Sequence, residues 1–503
     1  MRWFRAALTV VATAGLALGL GGCTRPWTLS LISVNAAGTD SGNSAVGDGV
    51  LFSPDGTKVA FTTAASDLGA TDTNGYGDVY LRDLTTGTTT LVAARPDGSA
   101  GNGASYPAAF SADGTKLFYA SASTDLGWLD RNHGMDIFVV DLTTGTTTLV
   151  TGNAAGTATS NGSSTLSGVS PDGTTVAFGS TANDLGPVDT NTGNPGDIYL
   201  RDVVTGATTL VSANAAGTDG TGYAYNGRMS ADGTKVLWVY LESALYVYDL
   251  ASGATTLVTV DADGTGGANG SVGGGWLSSD GTKVGFATTA SNLGPHDTNG
   301  IFDVYVRDLV TQTTTLVSST ADGANGANAP SFGYEMSPDG SQVLFGSLAS
   351  DLGPVDTNGM RDVYVRDLDT ETTMLVSVNG DGTDSGNESS IRAALSADGT
   401  RVVFESTAND LGGNDTVMCR RPAGPLGSYH DESCTDIYVR DLVRGKTTLV
   451  SARTDGRDGG NSDSTWPAFG PVGHQLVFQS RASDLVGVDT NELWDYFLAA
   501  PRP

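Results

Sequence analysis

Ser53-Pro54-Asp55-Gly56, followed shortly by the apolar run Val59-Ala60-Phe61, decides the fold because the chain repeats this stretch. Close variants return at intervals of about 60 residues, and they begin at Ser111, Ser170, Ser230, Ser279, Ser337 and Ser396, with a degenerate eighth copy at Gly470. A period of this size is typical of a stack of similar supersecondary units. We therefore interpret the chain as one unit repeated eight times.

Each unit predicts four short strands, which we call a, b, c and d. In the first unit, β-branched and aromatic residues are enriched in segments 50–52, 58–63, 78–84 and 88–92. Asp55-Gly56 joins a to b and Gly87 joins c to d, as expected of tight hairpins, because glycine adopts a positive φ without strain. No stretch of the mature chain shows the apolar periodicity of a helix, so we expect almost none.

Four antiparallel strands per unit predict an all-β fold, an eight-bladed β-propeller of four-stranded antiparallel blades. Stacking the blades around an axis buries the faces that a lone sheet would expose. Strand b repeats an aromatic residue at Phe61, Tyr119, Phe178, Trp238, Phe286, Phe345, Phe404 and Phe478. Strand c repeats one at Tyr80, Phe138, Tyr199, Tyr305, Tyr364, Tyr438 and Phe497. We expect these rings to form the core between blades.

The two ends of the repeat array complement each other. The last unit stops after strand c, at Asp495-Tyr496-Phe497-Leu498, and lacks strand d. The segment from Trp27 to Val34 matches strand d of the other units. We therefore expect this N-terminal strand to complete the last blade, which hides both open edges.

The first residues have the organisation of an export signal. Arg2 and Arg5 precede an apolar run from Ala6 to Leu20, which is too short to span a bilayer and suits a signal peptide. The sequence Leu20-Gly21-Gly22-Cys23 resembles a bacterial lipobox, which implies lipid attachment at Cys23 and removal of residues 1–22. An ordinary secretory signal with an incidental cysteine stays open.

This interpretation divides the chain into a signal peptide (1–22), a lipidated tether (23–26) and a single propeller domain (27–503). It places the protein on the extracytoplasmic side of a bacterial membrane, held there by the lipid alone. The two other cysteines, Cys419 and Cys434, can pair, because export permits a disulfide. The 26 basic residues against 55 acidic ones give a net charge of −29, which argues against nucleic acid as a partner.

The loops between strands b and c repeat an Asp-x-Asn-Gly-x-x-Asp pattern. Oxygen ligands at these positions could surround a hard cation such as Ca²⁺; equally, Asp and Asn cap turns by bonding their own backbone. Both interpretations stay open. The candidate metal ligands are Asp72, Asn74, Asp78, Asp130, Asn132, Asp136, Asp189, Asn191, Asp197, Asp297, Asn299, Asp303, Asp356, Asn358, Asp362, Asp489, Asn491 and Asp495.

Two units depart from the pattern most. The fourth runs from Tyr240 to Leu245 with almost no loop, and the seventh keeps Asp415 and Asp436 but inserts a longer segment between them. Long, variable loops are where propellers and other scaffolds usually bind. The insertion is therefore a candidate contact, although neutral drift of a surface loop would look the same; its notable residues are Arg420, Arg421, Tyr429 and His430.

The repeat resembles the TolB-like propeller family. Ser-Pro-Asp-Gly before strand b, then Asp-Val-Tyr-Val-Arg-Asp-Leu and Thr-Thr-Leu-Val-Ser, carry the resemblance over residues 27–499. It implies the propeller fold but says little about function. The additional α/β domain of TolB does not fit here, and the chain has no Gly-x-Ser-x-Gly of a hydrolase.

The sequence favours a non-catalytic, membrane-tethered binding or scaffolding propeller, expected to be a monomer, which contacts an envelope protein, peptide or glycan through its long-loop face. The alternative is a carbohydrate-active lyase or hydrolase that uses carboxylates at the mouth of the central channel. An enzyme should show one cluster of unlike polar residues at that mouth, whereas a scaffold need not. Fold alone does not decide between them.

Overall fold

The computed structural model describes residues 26–187, 189–190, 196–214, 219–294, 297–413, 415–422, 429–472 and 474–502. Within these ranges the regular secondary structure consists of β-strands only. The described part of the chain accordingly offers no apolar helix of the length that a bilayer crossing needs.

The strands form eight four-stranded antiparallel sheets, the blades of a β-propeller. The first four blades contain β2–β5 (Val46–Phe52, Lys58–Thr63, Asp78–Asp83, Thr89–Leu91), β6–β9 (Ser105–Phe110, Lys116–Ser121, Asp136–Asp141, Thr147–Leu149), β10–β13 (Ser164–Val169, Thr175–Ser180, Asp197–Asp202, Thr208–Leu210) and β14–β17 (Ala224–Met229, Lys235–Tyr240, Ala244–Asp249, Thr255–Leu257). Blades five and six contain β18–β21 (Val272–Leu277, Lys283–Thr288, Asp303–Asp308, Thr313–Leu316) and β22–β25 (Ser331–Met336, Gln342–Ser347, Asp362–Asp367, Thr372–Leu375).

The last two blades differ in how they are assembled. Blade seven contains β26, β27, β30 and β31 (Ser390–Leu395, Arg401–Ser406, Asp436–Asp441, Lys446–Leu449), and its insertion forms a separate hairpin of β28 and β29 (Met418–Pro422, Tyr429–Ser433). Blade eight contains β32, β33 and β34 (Ser464–Phe469, Leu476–Ser480, Asp495–Pro501), and it is completed by β1 (Trp27–Leu31) from the other end of the chain.

Strand a of each blade lies nearest the central axis. Strand a is the first strand of blades one to eight, and consecutive a strands contact one another from β2 through β32. The long b–c and d–a loops therefore share one end of the ring, and the short a–b and c–d hairpins share the other. We call these the long-loop face and the hairpin face.

The Ser-Pro-Asp-Gly stretch works as a turn with a side-chain clamp. Ser53 Oγ donates to Asp55 Oδ1 (2.6 Å) and accepts the backbone N–H of Lys58, the first residue of strand b (2.9 Å). Asp55 also accepts the N–H of Thr57 (3.0 Å), and Gly56 has a φ of 68°. Only a residue that tolerates this left-handed conformation fits there, which explains why the turn sequence repeats.

The aromatic residues of strands b and c form the core between blades, as the sequence predicted. Within blade six, Phe345 and Tyr364 stack with 5.6 Å between ring centroids. Across a blade boundary, Phe118 of blade two shares a fully buried cluster with Phe178 and Tyr199 of blade three. Burial of large apolar side chains at about 1.5–3 kcal/mol each makes this packing the main stabilising term.

The ring closes as predicted, although β1 ends at Leu31, earlier than the predicted segment 27–34. Trp27 pairs with Pro501 and Leu31 with Phe497 in antiparallel register. The backbone continues to Ser33, whose hydroxyl donates to Asp495 Oδ1 (2.6 Å). The edge of β34 is thereby covered by the other end of the chain.

Deleting residues 27–34 should lower the melting temperature and open the ring. The deletion removes buried Trp27 and Leu31, at a cost of about 2 kcal/mol for each large apolar side chain, and exposes the edge of β34. Calorimetry and hydrogen exchange should compare chains that begin at residues 27 and 35. Equal melting temperatures and equal protection of the β34 amides would contradict this closure.

Candidate functional site

The repeated b–c loops place two buried carboxylates beside the start of strand c. In blade six, Asp356 Oδ2 accepts the hydroxyl of Tyr364 (2.7 Å), and Asp362 Oδ1 accepts the hydroxyl of Ser377 (2.6 Å). Asn358 lies between them and donates from Nδ2 to Asp362 Oδ2 (2.7 Å). The same amide group also reaches the backbone carbonyl of Gly386 (2.6 Å). The loop is therefore held by its own side chains.

Blades one and five repeat this arrangement. Asn74 Nδ2 donates to Asp78 (2.7 Å) and Asn299 Nδ2 to Asp303 (2.9 Å), while Tyr305 donates to Asp297 (2.6 Å). The same amide also donates to a backbone carbonyl, that of Gly101 in blade one and that of Ala327 in blade five. These hydrogen bonds account for the Asp-x-Asn-Gly pattern by turn capping, and Ca²⁺ binding at these loops stays an untested prediction.

The b–c loops of blades two, three and eight make similar hydrogen bonds with different partners. In blade two, Asn132 Nδ2 donates to the carbonyls of Ser160 (2.8 Å) and Gly162 (3.0 Å), near Asp130 and Asp136. In blade three, Asp189 accepts from Tyr199 and Asp197 from Ser212, each at 2.6 Å; Asn191 lies outside the described residues. In blade eight, Asn491 donates to the carbonyl of Gly42 (2.8 Å), and Asp489 Oδ2 and Asp495 Oδ2 have no hydrogen-bond partner.

Burial changes the proton affinity of these carboxyls. Removal from water raises the pKa of Asp78, Asp136, Asp362 and Asp495 to about 7, and that of Asp303 to about 6. The neighbouring aspartate raises the pKa further in each blade, since two close negative charges disfavour each other.

The blade-seven insertion is closed by a disulfide. Cys419 and Cys434 are bonded, as expected for an exported chain, and the hairpin they close connects Asp415 to Asp436. The side chains of the predicted contact residues, Arg420, Arg421, Tyr429 and His430, lie outside the described part of the structure, so their role as a contact stays a prediction. Asp415 Oδ2 accepts the hydroxyl of Tyr438 (2.6 Å), as in the other blades.

A second group of residues lies at the long-loop end of the central channel. All eight a strands pair irregularly with strand b, with a bulge near the middle. In blades seven and eight the bulge holds Arg392 (φ 46°) and Trp466 (φ 54°). A positive φ is unfavourable for bulky residues and is concentrated at functional sites in proteins.

Arg392 and Trp466 contact each other across the blade boundary. The guanidinium carbon lies 4.3 Å from the indole centroid, within the range of a cation–π interaction. Glu405, whose side chain is only 1% exposed, accepts from Arg392 Nη1 (2.9 Å) and from the backbone N–H of Trp466 (2.5 Å). Trp466 nevertheless remains 53% exposed. The buried carboxylate of Glu405 thus holds both residues in place, while the indole of Trp466 stays accessible to solvent.

Blade six extends this cluster. Arg361, the residue before Asp362, lies over the ring of Phe332 with its guanidinium carbon 4.6 Å from the centroid. Glu335 on the same a strand accepts the backbone N–H of Leu395 in blade seven. Burial raises the pKa of Glu335 to about 7. Glu335 lies nearer the hairpin end of its strand, one residue before β22 ends at Met336. We call Phe332, Arg361, Arg392, Glu405 and Trp466 the channel-mouth cluster.

On blades three and four, the same end of the channel opens into a cavity of about 750 Å³. Its lining includes Ser163, Ser180, Asn226 and Arg228 from strands a and b and their long-loop ends. Asn226 is a further non-glycine bulge residue with positive φ (52°). The long-loop end therefore combines an open recess with exposed arginine and tryptophan side chains.

Sequence reasoning did not identify the channel-mouth cluster. Strand a looked like a short strand of small residues, so Arg392 and Trp466 carried no motif. The available signal was their departure from the other copies, which place the smaller residues Gly49 and Asn226 at the corresponding positive-φ position. That signal could have been found only by aligning all eight copies position by position.

No family model and no curated protein matches the chain. An oligogalacturonate lyase in complex with manganese aligns at 15% identity over 95% of this chain and 97% of its own, with a TM-score of 0.42. A prolyl endopeptidase aligns at 12% identity (88% and 55%, TM-score 0.47), and a TolB-like protein of Agrobacterium tumefaciens at 17% (54% and 79%, TM-score 0.32). These similarities concern the propeller fold alone, and we take no function from them.

The buried carboxyls predict that the protein is more stable at pH 5 than at pH 8. Their pKa values in the folded chain, about 7 for Asp78, Asp136, Asp362 and Asp495, exceed the ordinary value of about 4. Between these values the folded state binds more protons, so stability falls as pH rises. The hairpin carboxyls, such as Asp55 with a pKa of about 2, act in the opposite direction only below pH of about 4.

Thermal denaturation in EDTA between pH 5 and 8 measures this dependence. The control is Asp362→Asn, because the asparagine side chain carries no ionisable proton. The melting temperature of this variant should change less between pH 5 and 8 than that of the wild type. A melting temperature that is constant, or that rises toward pH 8, would contradict the assignment.

Proposed function

We propose that the protein is a non-catalytic binding propeller, tethered to the bacterial cell envelope through Cys23, whose long-loop face binds an acidic glycan or peptide at the channel mouth. The observation that carries the proposal is the stacked pair of Arg392 and Trp466, held in strained backbone conformations and open to solvent. Cys23 lies outside the described residues, and the tether rests on the lipobox-like sequence.

The chemistry of the cluster suits an anionic chain molecule. An exposed indole offers a flat apolar face for a sugar ring or a peptide side chain, and guanidinium groups bind carboxylates with directional, charge-assisted hydrogen bonds. The protein as a whole is strongly acidic, with a net charge of −29, and would repel an acidic ligand. The exposed arginines at the channel mouth reduce that repulsion locally.

The exposure and the fixed positions of the cluster's side chains also favour ligand binding over a purely structural role. Trp466 would be expected inside the core if packing alone explained it, yet about half of its surface is exposed. The buried carboxylate of Glu405 fixes Arg392 and the backbone of Trp466 together. Such preorganisation reduces the entropy lost when a ligand binds.

Trp466→Ala should weaken binding of an acidic polymer by about tenfold or more, equivalent to about 1.4 kcal/mol. Calorimetric titration with alginate, polyglutamate and neutral dextran identifies the ligand class, and Arg392→Lys should give an intermediate loss because lysine lacks the planar fork. The matched control is Tyr76→Ala, since Tyr76 is equally exposed at 53% but belongs to a blade-one loop.

Equal affinities of the wild type, Trp466→Ala and Tyr76→Ala would contradict binding at the channel mouth, and an absence of binding to both acidic polymers would contradict the proposed ligand class.

One observation favours the alternative, a carbohydrate-active enzyme: Glu335 has a pKa of about 7, near that of a general acid. Shortening of the polysaccharide during the titration, with loss of that activity in Glu335→Gln, would replace the binding proposal by the enzyme.

The membrane tether is tested separately. The wild-type protein expressed in a bacterium should fractionate with membranes and yield an acylated N-terminal peptide beginning at Cys23, while Cys23→Ser should be released in soluble form. Two or more acyl chains, at about 0.8 kcal/mol per buried CH₂, account for stable anchoring. An unacylated wild-type protein in the soluble fraction would show that the signal is an ordinary secretory one.

A further inference from the structure

Blade seven differs from blade six at the point where two buried carboxylates meet. In blade six, each carboxylate oxygen of this pair has a donor: Tyr364 and Ser385 for Asp356, and Ser377 and Asn358 for Asp362. The serine donates at 3.1 Å and the amide at 2.7 Å. All four oxygens are therefore satisfied by neutral groups.

Blade seven lacks two of these four donors. The insertion has replaced the Asn-Gly turn, so no residue corresponds to Asn358, and Gly459 stands where blade six has Ser385. Tyr438 and Ser451 remain and bond Asp415 Oδ2 and Asp436 Oδ1. The second oxygen of Asp436, Oδ2, has no hydrogen-bond partner although the residue is fully buried.

The second oxygen of Asp415 is less isolated than that of Asp436, because this carboxylate also accepts the backbone N–H of Val417. The two oxygens nevertheless flank one position. A Cβ atom built on Gly459 would lie 3.0 Å from Asp415 Oδ1 and 3.0 Å from Asp436 Oδ2. Asp415 is only 4% exposed and Asp436 not at all. Both carboxylates thus point toward the same small space beside a residue that has no side chain to fill it.

Further acidic residues lie near the pair. Asp458 and Asp463 add negative charge there, and Asp458 is bonded to Arg453 at 2.7 Å. A buried, unpaired carboxylate is costly unless a proton or a cation joins it. Two carboxylate oxygens directed at one point match the preference of Ca²⁺ for hard ligands.

We propose that Asp415 and Asp436 bind a Ca²⁺ ion in blade seven, and that the ion fastens both ends of the Cys419–Cys434 insertion to the blade. This site lies outside the Asp-x-Asn-Gly loops and is independent of ligand binding at the channel mouth. The sulfur atoms of Cys419 and Cys434 lie near Asp463, but they are bonded to each other and take no part as thiolate ligands.

The ion would hold the chain where it leaves and re-enters the propeller. Asp415 precedes the β28–β29 hairpin and Asp436 is the first residue of β30. A cation between them joins the two ends of the insertion at its base, in the place where the other blades use an asparagine. The disulfide closes the same segment farther along.

Calorimetric titration of the EDTA-treated full-length protein with CaCl₂ tests the proposal. We expect saturable binding, and Asp436→Asn should lose one equivalent or weaken the affinity by about tenfold or more. Gly459→Ser restores the hydroxyl that blade six has in this place; it should also abolish that equivalent, while its melting temperature in EDTA stays at or above that of the wild type. Asp202→Asn is the control, because this hairpin carboxylate bonds the backbone of its own turn and lies outside the candidate cation sites; it should bind Ca²⁺ like the wild type.

Three outcomes would overturn the site. One is an absence of Ca²⁺ binding to the wild type. The second is unchanged binding in Gly459→Ser, which regains the serine hydroxyl that blade six has in this place. The third is a melting temperature that rises in Asp436→Asn but does not respond to CaCl₂ in the wild type, which would show that the pair shares a proton instead.

Discussion

The antiparallel pairing of β1 with β34 is the contact on which the rest of the structure depends. Each blade is a twisted sheet whose two faces are apolar, and it is buried only when both neighbours are present. The cluster that joins blades eight and one contains Phe61, Val59, Val477, Tyr496 and Ile32. Ile32 directly follows the closing strand, so the joint between the first and last blades depends on the N-terminal segment as much as on the repeats.

Closure also explains why polar residues repeat with the unit. In a ring of equivalent blades, the b–c loop must turn the chain while its carboxylates enter the space between strands c and d. Asp362 bonds Ser377, two residues after strand d, and Asp303 bonds Ser318 in the same way. These contacts connect the outer strand to the blade, which makes the aspartates structural wherever the asparagine and hydroxyl donors accompany them.

The repeat made the fold predictable from sequence. The Asp-Gly turns, the alternating strands and the missing strand d of the last unit were enough to give eight blades and the closing strand. Strand b of blade one was predicted with its observed bounds, and strands a and d differed by a few residues, since β2 begins at Val46 and β5 covers only Thr89–Leu91.

The channel-mouth cluster was not predictable in the same way, because it is built from exceptions. The bulges of strand a determine which side chains face the channel, and a bulge shifts the alternation of inward and outward residues. Arg392 therefore could not be assigned to a face from its sequence position. Its contact with Trp466 is long-range, 74 residues along the chain, and depends on how two blades meet.

Several exceptions to the repeat lie together in blades six to eight. Arg361, Arg392, Trp466 and the blade-seven insertion all occur there, on the long-loop face or the a strands beneath it. Glu405 connects strand b of blade seven to strand a of blade eight, and Glu335 connects blade six to blade seven. Because these carboxylates bond backbone N–H groups of the adjacent blade, they fix the relative positions of three blades. A rigid sector of this kind is what a preorganised binding site requires.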